Sequence, residues 1–168
     1  MLEIIKVTDG ENLSHVRELF LAYAEWIGID LSFQNFNEEM ANLPGDYAPP
    51  TGRLLLAFHD DKPAGCVAVR KLDGNICEMK RLYVLPEFQG SGIGKSLAQE
   101  IITEAKGLNY AKMRLDTMPK MASAQNLYRS LGFKEIAPYR FNPEPGAVFM
   151  ELDLIATEST EDSEKEKT

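Results

Sequence analysis

The chain is poor in features that would place it in several common classes. No run of 18 apolar residues occurs along its 168 positions, so no segment is long enough to cross a bilayer as a helix. Cys66 and Cys77 are its two cysteines, which rules out a disulfide framework and favours buried thiols. Histidine is confined to His15 and His59. With no metal-ligand spacing anywhere, neither a metal centre nor a Cys–His nucleophile pair has support. Basic residues are outnumbered by acidic ones, 18 against 26, for a net charge of −8. That balance argues against a nucleic-acid partner held by phosphate contacts. It is compatible with a cationic ligand such as an amine, although solubility accounts for most of it. Met1 to Val7 lacks the basic start and long apolar region of a signal peptide and reads as a strand, so a cytoplasmic location is expected. Thr157 to Thr168 contains no apolar residue. Residues 155–168 are therefore expected to form an acidic, disordered tail unable to offset the entropy of ordering.

What remains suits one domain over residues 1–154, with 44% hydrophobic residues for a core. Leu13, Val16, Leu19, Phe20, Tyr23 and Ile27 recur at helical spacing and predict a helix ending near Gly28. A short helix follows over Asn35 to Leu43, capped by Asn35 or Asn37. Leu54 to Phe58, Ala64 to Val69 and Ile76 to Val84 read as three successive strands. Asp73-Gly74 as a two-residue turn would set Cys66 opposite Arg81 and Cys77 opposite Arg70, so no disulfide is expected. A helix to about Lys106, a strand over Ala111 to Asp116, a helix over Met121 to Leu131 and strands at Phe133 to Ile136 and Val148 to Leu152 complete the chain. The order β-α-α-β-β-β-α-β-α-β-β is an α/β layout with a mixed central sheet.

The most informative segment runs from Arg81 to Ser96. A strand ends at Pro86, and an apolar stripe of Ile93, Leu97, Ile101, Ile102 and Ala105 marks a helix. Between them Gly90, Gly92 and Gly94 allow a tight turn and close approach of a ligand to the backbone. The unpaired N–H groups and positive dipole end of such a helix suit a phosphate or pyrophosphate. Three spacings were weighed. A dinucleotide fingerprint fails because Lys95 takes the place of its third glycine, and no second nucleotide-binding half follows. A P-loop matches at Gly94-Lys95-Ser96, but its first glycine falls on Gln89, leaving the loop one residue short. Its candidate acid strand, Met113 to Asp116, also carries Arg114. The pattern [RQ]-x-x-G-x-[GA] is matched by Gln89-Gly90-Ser91-Gly92-Ile93-Gly94.

That pattern resembles the pyrophosphate-binding motif of the GNAT superfamily of acyl-CoA-dependent N-acetyltransferases. Leu82-Tyr83-Val84-Leu85-Pro86 is similar to the family's L-x-V-x-P strand end, and Ala124 to Phe133 to its A-x-x-L-Y-x-x-x-G-F segment. Gly146 to Leu152 resembles its last strand. The resemblance covers Cys66 to Leu154 well and the N-terminal third in outline. It implies a GNAT fold over residues 1–154 and transfer of an acetyl group from acetyl-CoA, without metal, to a primary amine. A small amine or amino acid is favoured over a protein lysine or N-terminus, and a homodimer is left open. An idle acyl-CoA-binding regulatory domain and a P-loop nucleotide-binding module are the alternatives.

The resemblance also implies roles. Leu82, Tyr83 and Val84 would pair with the cofactor's pantetheine arm, where this strand splays from Leu115-Asp116. The turn from Gln89 through Gly90, Ser91, Gly92, Ile93, Gly94 and Lys95 to Ser96 would hold the pyrophosphate. Tyr128 would donate to the departing sulfur. Many relatives carry an asparagine where this chain has Met121, and Asn126 or Ser123 is the expected replacement. Trp26, Phe33, Phe36, Tyr47 and Tyr139 to Asn142 occupy places that wall the acceptor site. Among these, Phe33 and Arg140 are the expected substrate contacts, Arg140 through a carboxylate. A lysine-like amine is mostly protonated at neutral pH and needs a base. Glu78, expected on the same period-2 face as Leu82 and Val84, is the candidate, with a structural pair to Lys80 or Arg70 as the alternative.

Overall fold

The structure, a computed structural model, describes residues 1–28 and 35–155. Phe33 and residues 156–168, on which the tail expectation falls, lie outside the described residues. Among the described residues seven strands and four α-helices follow one another as β1 (Leu2–Lys6), α1 (Gly10–Ile27), α2 (Phe36–Asn42), β2 (Arg53–His59), β3 (Lys62–Asp73), β4 (Ile76–Val84), α3 (Ile93–Gly107), β5 (Lys112–Thr117), α4 (Ala122–Ser130), β6 (Lys134–Ile136) and β7 (Val148–Asp153). They form one sheet in the order β1-β2-β3-β4-β5-β7-β6. Only β4 and β5 are parallel; the other pairs are antiparallel. The expected element order and mixed sheet are both present.

Each face of the sheet carries its own core. Leu97, Ala98, Ile101 and Ala105 of α3, with Tyr128 of α4, pack on Val67, Val69, Cys77 and Met113. On the opposite face Val16, Leu19, Phe20 and Tyr23 of α1 pack on Leu54, Leu56, Cys66, Ala68 and Tyr83. Alternation along β2 and β3 supplies both faces at once, as a sheet covered on both sides requires. α1 stops at Gly28, whose φ of +70° turns the chain out of the helix while its N–H still bonds the Ala24 carbonyl at 3.3 Å. α2 begins after Asn35 as expected. The Asn35 side chain makes no capping bond, however, and its backbone is left-handed with φ +58°, outside the extended conformation that side-chain capping needs.

The β3–β4 hairpin departs from its expected register. Asp73 pairs with Ile76, so Gly74-Asn75 forms the turn, and Lys71 lies opposite Cys77 and Cys66 opposite Tyr83. The cysteines remain apart, both free and buried. The cause is two shifts of register, of which the one near Arg81 matters most. Lys80 pairs with Ala68 and Tyr83 with Cys66, so Arg81 and Leu82 together oppose Val67. This is a β-bulge. Arg81 takes φ +63°, a strained setting for an arginine. It is held there by Glu39 of α2, at 3.0 Å from Nε and 2.8 Å from Nη2, with the rings of Tyr23 and Phe36 within 5.7 and 5.3 Å.

The bulge reverses the alternation of β4. Cys77, Met79, Leu82 and Val84 all face the α3 side, whereas Tyr83 faces α1. Glu78 therefore does not share a face with Leu82 and Val84, contrary to the strict period of two.

Candidate active site

β4 and β5 are paired only from Ile76–Glu78 to Lys112–Arg114. Beyond Glu78 the strands diverge, and a cavity of about 350 Å³ occupies the gap. Residues 79–84 of β4 form one wall, Leu115 and Asp116 of β5 another. Among the described residues the β4 edge facing this gap has no strand partner past Glu78, which leaves its main-chain groups to an extended ligand. The splay, expected opposite Leu115-Asp116, is where the sequence put it.

One end of the cavity opens at Gln89 and Gly94, the glycine-rich turn. Gly90 and Gly92 have φ of +85° and +87°, and no atom lies within 4 Å of where a Cβ would sit on either. Both glycines answer a demand of the backbone and leave open space above it. The turn is tied to itself: Gln89 Nε2 donates to the Val84 carbonyl at 2.9 Å, and Ser91 Oγ to that of Phe88 at 2.6 Å. α3 begins on Gly92, and its first intrahelical bond runs from the Ser96 N–H to the Gly92 carbonyl at 3.1 Å. The N–H groups of Ile93, Gly94 and Lys95 precede that bond and stand at the helix's positive end. Ser96 is a correction: its N–H is used, and the residue lines a separate depression with Leu2 and Ile4, not this cavity. Ile93 contributes backbone alone, since its side chain is buried in the core.

Tyr128 of α4 lies in the cavity wall. Its hydroxyl makes no hydrogen bond among the described residues, and its ring rests 5.6 Å from that of Phe133. Burial, followed by the neighbouring Tyr23 and Asp116, raises this phenol well above its usual range. It stays protonated under any ordinary condition, as a hydrogen-bond donor must. Ala124 and Leu127 line the same wall, as does Ser123. Asn126 does not: two residues from both Ala124 and Tyr128 along the helix, it points to the other side and is exposed. Of the two expected replacements for an asparagine at Met121, only Ser123 reaches the cavity.

The α1 wall is aromatic. Tyr23 and Trp26 stand 6.0 and 5.9 Å from the Tyr83 ring. Lys120 Nζ donates to the Trp26 carbonyl and lies 5.1 Å from the Trp26 ring centroid, joining α1 to the segment before α4. Burial lifts the Tyr23 phenol to about 12. Lys80, 6% exposed, belongs to the β4 wall. Burial, followed by the adjacent Arg81 charge, lowers its ammonium from 10.5 to about 7.

Glu78 requires the largest correction. It is fully buried, yet it is not part of the cavity lining. Its Oε1 accepts from Arg70 Nε at 3.0 Å, and its Oε2 accepts from the Tyr139 hydroxyl at 2.7 Å and pairs with Arg140. A carboxylate held by two guanidiniums and a phenol is a poor proton acceptor. Arg140 is likewise engaged, with Glu78 and at 3.9 Å with Asp116, so it is not presented to a substrate carboxylate.

The carboxylate that does line the cavity is Asp116, which the sequence reading used only to mark the splay. Lys112, Arg114 and Asp116 alternate with the buried Met113, Leu115 and Thr117. Three charged residues alternating with buried ones on a central strand were the signal that could have singled it out.

Among the described residues no helix is long and apolar enough to cross a membrane, and no group of three or more His, Cys, Asp or Glu could hold a metal ion. The profile of the Acetyltransferase (GNAT) family matches residues 14–133. An uncharacterized N-acetyltransferase of Schizosaccharomyces pombe is 42% identical, covering 91% of this chain and 95% of its own. Another, of Dictyostelium discoideum, is 33% identical, covering 90% and 99%. Among solved structures, the PaiA N-acetyltransferase of Thermoplasma acidophilum in complex with coenzyme A superposes with a TM-score of 0.67 at 20% identity, covering 91% of this chain and 99% of that one.

Proposed function

The chain belongs to the acetyltransferase (GNAT) family, and from that premise we propose that it moves an acetyl group from acetyl-CoA to a primary amine by direct attack. The observation that carries this reading is the cavity at the β4–β5 splay. It joins a strand edge without a partner among the described residues, a helix N-terminus on a glycine turn and the hydroxyl of a buried tyrosine. The amide-bearing arm of a CoA thioester would pair with the backbone of Leu82 to Val84. Its pyrophosphate would take the N–H groups from Gly90 to Lys95, favoured there by the α3 dipole. Binding coenzyme A is a property of the Thermoplasma structure named above, and the same fold here supports it. Tyr128 would donate to the sulfur as it departs, stabilising a developing thiolate without giving up its own proton. The acceptor would enter beside Asp116, and a small amine or amino acid fits a cavity of about 350 Å³ shared with the thioester.

Two measurements test this together. Acetyl-CoA raises the melting temperature by mass action, whereas Mg-ATP and NAD do not. A panel of alkylamines and free amino acids, followed by the CoA thiol released, identifies a transferable acceptor. Stabilisation by Mg-ATP with none by acetyl-CoA would overturn the reading. Acetyl-CoA binding without transfer to any amine would instead mark an acyl-CoA-binding domain.

A further inference from the structure

Resting on the acetyl-transfer reading, we propose that Asp116 is the residue that receives the acceptor: it binds the protonated amine and takes one proton from it, which frees the nitrogen's lone pair for attack. Three observations support this assignment. Asp116 stands on β5 just past the last β4–β5 pair, where the strands have opened, and it forms part of the cavity wall with Tyr128. Its side chain is 8% exposed, so a charge there faces the cavity and not bulk water. Among the described residues its contacts fall on one oxygen: Oδ2 accepts from Asn142 Nδ2 at 3.1 Å and lies 3.9 Å from Arg140 Nη1. The segment carrying Asn142 and Arg140 thus fixes the carboxylate through Oδ2, and Oδ1 is the oxygen offered to an ammonium.

Glu78 cannot take this role, because both its oxygens are occupied. The charged and titratable groups facing Asp116 are Lys80 from β4, Tyr23 from α1, Tyr128 from α4, and Tyr139 and Arg140 from the loop before β7. The step balances. Asp116 takes one proton from the ammonium and passes it to solvent, and the neutral nitrogen then forms a bond to the thioester carbon while the carbon–sulfur bond breaks. The acylated nitrogen sheds its second proton to water and becomes the amide. Sulfur leaves as a thiolate held by the Tyr128 hydroxyl and is protonated by water on release.

The decisive comparison is between acceptors that need a base and acceptors that do not. Asp116→Asn keeps the shape and the Asn142 contact and removes the charge. With the best alkylamine of the panel, turnover at pH 7 should fall on the order of 10²-fold. With aniline, already neutral at that pH, the loss should be only a few-fold. The acetyl-CoA melting shift should be retained, which shows the variant to be folded. If that shift is lost, Asp116→Ser is read in the same way. Equal losses with alkylamine and aniline, or no loss with either, would overturn the assignment. Failure of the unaltered protein to acetylate any amine would instead remove the reading on which it rests.

Discussion

Replacing Glu78 by glutamine separates a structural carboxylate from a catalytic one. The side chain has no exposure, and it anchors Arg70 and Arg140, which are 29% and 20% exposed. Glutamine fits the space, but its amide N–H₂ must face a guanidinium or the Tyr139 hydroxyl, and both arginines lose their counter-charge. Breaking a buried ion pair from one side costs about 3–5 kcal/mol. Because both arginines keep part of their surface in water, the low end applies, about 3 kcal/mol. In a domain of this size each kcal/mol moves the melting temperature by about 2–4 °C, so Glu78→Gln should melt roughly 6–12 °C below the parent. Arg140→Met in the same background should add little further loss, because the two changes break one interaction. The assay is a melting curve by circular dichroism, with acetyl transfer measured well below the transition. The transfer rate should be largely kept there, with an unmoved acidic limb. A variant that melts within about 2 °C of the parent but loses turnover as pH falls would refute the structural assignment and restore Glu78 as the base.

Gly92→Val should fold with a melting temperature a few degrees lower, since the cost lies in its φ of +87° and not in contact with neighbours. The acetyl-CoA melting shift should vanish, and its retention would place the anion site elsewhere. Tyr128→Phe keeps the buried ring and deletes a hydroxyl that no described residue uses, so stability should hold. Turnover should fall on the order of 10²-fold, by the same factor from pH 6 to 9, because the raised phenol does not titrate there; full turnover would leave it a core aromatic. Burial holds Tyr23 and Cys77 at about 12, against ordinary values of 10.0 and 9.0. The native protein thus retains protons that the unfolded chain releases, so their stabilisation is present below about pH 9 and lost as pH rises toward 12. Lys80, lowered to about 7 by burial, gives the opposite slope over the same range, so melting temperature is followed from pH 8 to 11 in a Lys80→Met background, where a flat profile would contradict the buried setting of both groups.

By itself the sequence determined whatever depends on local spacing. The apolar periods of α1 and α3, the strand runs and the three glycines after Pro86 imposed the element order and marked the turn proposed to hold the pyrophosphate. The residues of a turn and the helix that follows it are neighbours in the chain, so their geometry is written in consecutive positions. The places of Leu82 to Val84 and Tyr128 in the cavity wall were legible for the same reason: a strand end and a helix face carry their motifs within a few residues. The role of Glu78 depended on distant residues. Arg70 lies across the hairpin, and Tyr139 and Arg140 are some sixty residues further on; only the folded sheet brings the three around one carboxylate. The face of Glu78 was also undecided locally. Alternation by two would have set it beside Leu82 and Val84, but the extra residue at Arg81 reverses the strand, and that bulge is held by Glu39 from α2. Asp116 shows the same division. Its charge on a central strand is visible in the sequence, whereas its place in a cavity follows from where β4 and β5 part. That parting is a property of two strands separated by a helix, decided by what packs between them.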